Sequence, residues 1–93
     1  MADTLTPNGE LTAPSTKPLR ELVRQALEGY FAHLNKDMPP RKVYDMVTEQ
    51  VEVPLLEITM AYTAGNQCQA AEILGLSRNT LRKKLRGYHL IKE

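Results

Sequence analysis

The stretch from Gly65 to Tyr88 leaves few choices of fold. Gly65 can end a preceding helix in the left-handed region that glycine enters freely, and Asn66 can cap the next helix with its side-chain oxygen. Gln67 to Leu74 then reads as a short helix, in which Ala70 and Ala71 are small enough for another helix to cross close by. Gly75 supplies a sharp turn, Leu76 plugs a core, and Ser77 caps a following helix that starts at Arg78. Helix, glycine-containing turn and capped helix together make the helix-turn-helix plan.

The face left over by that plan carries the chemistry. Projected at about 100° per residue, Leu81, Leu85 and Tyr88 cluster within about 60° and form a core side. Asn79, Arg82, Lys83 and Arg86 fall opposite, flanked by Arg78, Thr80 and Lys84. Guanidinium forks can bridge guanine O6 and N7, an asparagine can pair with adenine, and ammonium groups neutralise phosphates. The first turn of a recognition helix reaches base edges. Arg78, Asn79, Thr80 and Arg82 are therefore the expected base readers, and Lys83, Lys84 and Arg86 the phosphate contacts, with Lys83 in reach of bases as well. Asn66 and Gln67, at a helix N-terminus, are placed to hold a phosphate through backbone N–H groups. Double-stranded DNA is the implied partner.

Charge distribution agrees where net charge is silent. The chain sums to +1, but residues 1–64 hold six Lys or Arg against nine Asp or Glu, and residues 65–93 hold six against two. Five of the latter, Arg78, Arg82, Lys83, Lys84 and Arg86, lie within nine positions. A basic run alone also fits a merely solvated face; caps, turn, plug and cationic side together favour a nucleic acid.

Upstream, residues 1–16 contain Thr, Pro, Ser, Gly and Asn with few large apolar groups, and read as a flexible arm with a weak hairpin signal at Asn8-Gly9. A first helix is expected from Pro18, with Leu19, Leu22, Val23, Ala26, Leu27, Tyr30, Phe31 and Leu34 on one stripe. Asn35 and Met38-Pro39-Pro40 end it in a loop. A second helix is expected from about Arg41 to Thr63, roughly 35 Å long at ~1.5 Å per residue, with a kink at Pro54. Its second half is apolar all round, and one short chain can hardly cover it. A second copy of the chain can. The expected dimer core comprises Leu22, Val23, Leu27, Tyr30, Phe31, Val47, Val51, Leu55, Leu56 and Ile58.

The segment from Gly65 to Tyr88, with GNQCQAAEILGLSRNTLRKKL at its heart, resembles the Fis family (factor for inversion stimulation). The similarity extends through Lys17-Pro18-Leu19-Arg20, Tyr30-Phe31 and Val53-Pro54-Leu55-Leu56. It implies an all-α, four-helix protomer with a C-terminal helix-turn-helix, in a homodimer intertwined through its first two helices. The implied organisation is an arm at 1–16, dimerisation helices at 17–64 and a DNA-binding unit at 65–93, its motif at about 67–86. DNA bending, nucleoid association, transcriptional regulation and stimulation of site-specific recombination are implied too, with RNA polymerase or a recombinase as further partners. The family's contact positions fall on Asn66, Ser77, Arg78, Thr80, Arg82, Lys83, Lys84 and Arg86. Cys68 stands where a phosphate-contacting threonine is common, Gly87 where a lysine is common, and the arm matches poorly.

Other readings are set against these. The chain could be the DNA-binding module of an enhancer-binding activator, although it begins at Met1 with its own arm, or a helical protein-interaction scaffold. No nucleophile–base pair, metal-ligand spacing or glycine-rich phosphate loop points to an enzyme, cofactor, metal or small-molecule effector. His33 and His89 read as surface polar residues, Glu49, Glu52 and Glu57 as a solvated helix face, and Tyr30, Phe31 and Tyr62 as core aromatics. Cys68, the sole cysteine, reads as a buried or half-buried thiol and excludes an intrachain disulfide. With no signal peptide or membrane span, a cytoplasmic, nucleoid location is expected.

Overall fold

The computed structural model describes residue 11, residues 17–34 and residues 40–91. The expected arm, its hairpin and the Asn35–Pro39 loop lie outside the described residues, apart from Leu11. Four helices are described: α1 (Leu19–Ala32), α2 (Val43–Tyr62), α3 (Gln67–Leu74) and α4 (Arg78–Gly87). The chain divides into two compact units, 1–41 and 42–93. α2 therefore packs within the same compact unit as the helix-turn-helix.

In the first unit Pro18 stands one position earlier than expected, as N-cap of α1 with φ −63°. Its carbonyl accepts from Glu21 N at 3.0 Å, and the otherwise orphaned N–H of Leu19 donates to Leu11 O at 2.7 Å. At the other end His33 Nδ1 lies 2.7 Å from Gly29 O, and the ring is exposed. Nothing in α1 is fully buried. Leu22, Val23, Leu27 and Tyr30 are half-buried, Phe31 is exposed, and the two aromatic rings meet edge to face at 5.4 Å.

In the second unit α2 continues without a break through Pro54, whose missing N–H removes one hydrogen bond. The core is small: Leu56 from α2, Ala70 and Ala71 from α3, and Leu81 and Leu85 from α4, flanked by Met60, Leu74, Tyr88, Leu90 and Ile91. The two alanines let the helices approach. Leu56, Leu81 and Leu85 are each about 99–100% buried, and full burial of such a side chain stabilises by about 1.5–3 kcal/mol. The buried hydroxyls are satisfied locally: Thr59 Oγ1 donates to Leu55 O at 2.7 Å and Thr63 Oγ1 to Thr59 O at 3.1 Å.

The last three helices end in one way. Gly65 N donates to Met60 O, Leu76 N to Ala71 O and Leu90 N to Leu85 O, each across five residues. Ala64 N to Ala61 O, Gly75 N to Glu72 O and His89 N to Arg86 O complete three Schellman motifs. The left-handed positions are Ala64 at φ 53°, Gly75 at φ 74° and His89 at φ 59°. At α2 the expected glycine is displaced by one: Ala64 takes the left-handed site, and Gly65 follows at φ 84°.

Viewed down its axis, α2 has three sides. Glu52, Leu56, Thr59, Met60 and Thr63 turn toward α3 and α4. Tyr44, Val51, Leu55, Ile58 and Tyr62 fall within about 60° of arc on another side at ~100° per residue, and all five are exposed. Gln50, Glu57 and Ala61 occupy the third. Two expectations change accordingly. Leu56, expected in a dimer core, is consumed by the chain's own core because it points at Ala70, Ala71 and α4. Tyr62, expected to be a core aromatic, is 82% exposed on the outer stripe.

Candidate nucleic-acid interface

The two helices of the motif begin on paired caps. Asn66 is extended and its side-chain oxygen accepts from Gln69 N at 3.1 Å, while earlier first-turn N–H groups have no acceptor within the helix. Gln67 beside it is half-buried, with its Oε1 shut away and unpaired among the described residues. What Gln67 can offer an anion is thus its backbone rather than its side-chain oxygen, which as an acceptor would repel phosphate in any case. Ser77 is likewise extended: its Oγ accepts from Thr80 N at 3.1 Å and donates to Thr80 Oγ1 at 2.9 Å. The hydroxyl pair fixes the first turn of α4 while keeping both groups at the surface.

α4 then divides as its spacing predicts. Leu81 and Leu85 have no accessible surface and Tyr88 is half-buried, which anchors one side of the helix. On the other, Arg78, Asn79, Thr80, Lys83 and Arg86 are exposed and Arg82 is half-buried. Asn79, Thr80, Arg82, Lys83 and Arg86 line one open concavity of about 500 Å³. Anchoring at two buried leucines gives the cationic side a fixed direction, so the donors are presented as a set instead of as loose side chains. Nothing in this concavity resembles a catalytic constellation. Three of its five lining residues, Arg82, Lys83 and Arg86, are cationic.

Lys84 differs from its neighbours. It sits at the border of the two sides, half-buried, with Nζ 2.7 Å from Glu52 Oε2 on α2. The Tyr88 hydroxyl donates to the other oxygen of the same carboxylate, Oε1, at 2.5 Å. Hydrogen bonds from Lys84 and then Tyr88 hold the Glu52 carboxyl below its usual range. The bond to Glu52, with partial burial, pushes the Tyr88 phenol up to about 12. Glu52 is therefore no solvated-face residue, as its neighbours Glu49 and Glu57 are; it is bound by two donors from α4. Sequence reasoning missed it because 32 residues separate Glu52 from Lys84. The one available signal was the four-residue spacing of Lys84 and Tyr88, which aligns two donors on one side of α4.

A second shallow concavity beside α3 is lined by Cys68, Gln69, Ala71, Glu72, Leu76 and Arg78. Cys68 is exposed there, against the expectation of a buried or half-buried thiol. The first turn of α3 stands clear of the core that Ala70 and Ala71 enter one turn later. His89 is exposed as expected. Among the described residues no group of three or more His, Cys, Asp or Glu is placed to hold a metal ion, and no helix is long and apolar enough to cross a membrane.

Comparison with known proteins places the sequence in a family. Residues 48–88 match the family model described as bacterial regulatory protein, Fis family, and residues 1–36 match the DNA-binding protein Fis N-terminal domain. The second match takes in the N-terminal segment 1–16, against the expectation that the arm matches the family poorly. Relatives named DNA-binding protein Fis include one from Psychromonas ingrahamii, 54% identical over 72 residues that make up 77% of this chain and 72% of the relative. Another, from Buchnera aphidicola, is 50% identical over 77% of this chain and 73% of its own. A third, from Aeromonas hydrophila, is 46% identical over 83 residues, 89% of this chain and 84% of the relative. The family is one of regulatory proteins and not of enzymes. With helix-turn-helix and N-terminal segment both matched, and with relatives aligned over more than two thirds of either chain, this protein belongs to the Fis family of bacterial regulatory proteins.

Proposed function

We propose that this chain is a homodimeric DNA-binding and DNA-bending protein, acting as a nucleoid-associated regulator of transcription. The observation that carries the reading is the cationic side of α4, held outward by Leu81 and Leu85 on the opposite side. The relatives' name, DNA-binding protein Fis, supports it. α4 enters the major groove, where Arg78, Asn79, Thr80 and Arg82 read base edges while Lys83, Lys84 and Arg86 meet phosphates. Asn66, Gln67 and Ser77, at the helix starts, set the register on the backbone.

The outer stripe of α2 supports a second copy as partner. Five large apolar side chains in one arc, Tyr44, Val51, Leu55, Ile58 and Tyr62, would otherwise stay in water. With α1, whose apolar side has no fully buried residue, they supply what a dimer would bury through residues 17–64. A dimer of helix-turn-helix units suits half-sites about one helical turn, roughly 34 Å, apart. Recognition helices set closer than that demand a bent duplex, and deformable or A·T-rich centres are then preferred without being touched. Contact with RNA polymerase or a recombinase, and stimulation of site-specific recombination, rest on the family resemblance alone.

The test pairs solution mass with circular-permutation gel shifts on duplex DNA. A dimer whose complexes migrate according to site position is expected. A monomer, or a chain that fails to shift random duplex at low salt, would refute the reading and favour a protein-interaction scaffold. Arg78→Ala should weaken binding to a preferred site by about 1–3 kcal/mol while relaxing base preference; an unchanged sequence profile in a selection experiment would remove Arg78 from the readers.

A further inference from the structure

We propose that Glu52 is an internal counter-anion that competes with DNA phosphate for Lys84 and so sets this chain's affinity for duplex below what its basic side alone would give. The inference rests on the DNA-binding reading. It starts from geometry: among the cationic groups of α4, Lys84 has its ammonium 2.7 Å from a carboxylate on a different helix. That carboxylate is itself oriented, because Tyr88 holds its second oxygen at 2.5 Å and keeps the first aimed at Lys84. The lysine side chain is 34% accessible and the glutamate 22%, so the pair is neither sealed in the core nor lost in bulk solvent.

The position of the pair lets Lys84 choose between two anions. It lies where the exposed side of α4 meets the side that packs on α2, one position along the chain from exposed Lys83 and two from Arg86. A phosphate approaching those two residues comes within the sweep of a flexible four-carbon stem. When Lys84 turns to it, the bond to Glu52 is given up, and the freed carboxylate is left near the duplex, where like charge is unfavourable. Binding therefore gains less from Lys84 than from Lys83. The same bond holds α4 on α2 in the free protein, so Glu52 positions the recognition helix and tempers its charge at once.

The test is a double-mutant cycle of Glu52→Gln and Lys84→Gln in the full chain, read by affinity for a random 20-base-pair duplex across a salt series. The amide oxygen introduced by Glu52→Gln can still accept from the Tyr88 hydroxyl, so the fold has a way to persist. With Lys84 present, Glu52→Gln should tighten binding about 5- to 10-fold per engaged protomer near 0.1 M salt. The salt slope should steepen by about 0.9 per engaged protomer, because no freed carboxylate is left beside the duplex to hold back one cation. With Lys84→Gln already in place, Glu52→Gln should change affinity less than about twofold. Equal tightening in both backgrounds would mean that Glu52 acts only through its general field, and weaker binding by a chain of unchanged helicity would mean that it acts only as a pin; either result overturns the proposal. If Glu52→Gln lowers helicity, the unaltered chain decides: the carboxyl carbon resonance of Glu52 should move on saturation with duplex, and a stationary resonance overturns the proposal. An unaltered chain with no salt-dependent binding refutes the DNA-binding reading and this inference with it, whereas binding with an additive cycle refutes this inference alone.

Discussion

The shared form of the three helix ends allows one backbone effect to be measured in both directions in one molecule. Ala64, Gly75 and His89 occupy the same left-handed position of the same motif, at φ 53°, 74° and 59°. A side chain in that region crowds its own backbone at a cost of about 1–2 kcal/mol. Replacing Ala64 by glycine removes that strain but loosens the unfolded chain, which offsets about 0.4–1 kcal/mol. The net expectation is stabilisation of about 0.5–1 kcal/mol. Gly75→Ala runs the same balance in reverse, and nothing lies within 4 Å of the added methyl, so no clash or new packing confuses the reading. It should destabilise by about the same amount. In a domain of this size about 1 kcal/mol shifts Tm by about 4–8 °C, so the two variants should melt on opposite sides of the parent, several degrees apart. The assay is thermal denaturation followed by circular dichroism at one fixed protein concentration, since self-association would add its own term. A lower Tm for Ala64→Gly, or an unmoved Tm for Gly75→Ala, would refute the reasoning.

Three further outcomes are expected. Leu85→Ala empties a position with no accessible surface between α2, α3 and α4 and should cost about 2–5 kcal/mol; denaturant titration measures it, and a loss below about 1 kcal/mol would mean that the core closes around the gap. Ser77→Ala removes the acceptor of Thr80 N and the partner of Thr80 Oγ1, and should cost about 0.5–2 kcal/mol with a detectable rise in amide exchange at the start of α4. The Glu52 cluster should shape stability at both pH extremes. The lowered carboxyl gives stability that is present above the ordinary value of 4.5 and lost as pH falls through its folded-state value. The raised phenol gives stability that is present below 10 and lost as pH rises through about 12. Tm profiles of parent and Glu52→Gln should converge at both ends, and parallel profiles would show that the cluster does not titrate with folding.

What can be read from the residues alone follows the range of the interactions involved. The caps at Asn66 and Ser77, the turn at Gly75 and the bounds of α3 are set by contacts across three to five residues, and spacing alone displays such contacts. The buried side of α4 is legible for the same reason: Leu81 and Leu85 lie one turn apart. Cys68 escapes because the burial of a small residue depends on the depth of its turn in the core. Ala64 escapes because glycine's freedom at Gly65 suggests the left-handed site one residue late. Glu52 escapes most fully, since nothing near it in sequence distinguishes it from Glu49 or Glu57.

α2 shows why an apolar count along a helix is an incomplete guide to what the helix does. Its apolar residues read as a group destined for a partner copy, yet they split by direction. Leu56 and Met60 face α3 and α4, whereas Tyr44, Val51, Leu55, Ile58 and Tyr62 face away. The first set fixes the recognition helix within one chain; the second is available to join two chains. Glu52 belongs to the inward set by angle, which is why a charged residue there reaches the border of α4 rather than open solvent. A single helix thus touches the internal core, the candidate dimer stripe and one cation of the candidate DNA surface. A change on its outer stripe such as Ile58→Ala should then weaken association, measured by the concentration dependence of solution mass, without disturbing α4. Leu56→Ala should instead loosen α4 first, and equal effects of the two on amide exchange in α4 would show that the sides of α2 do not act separately.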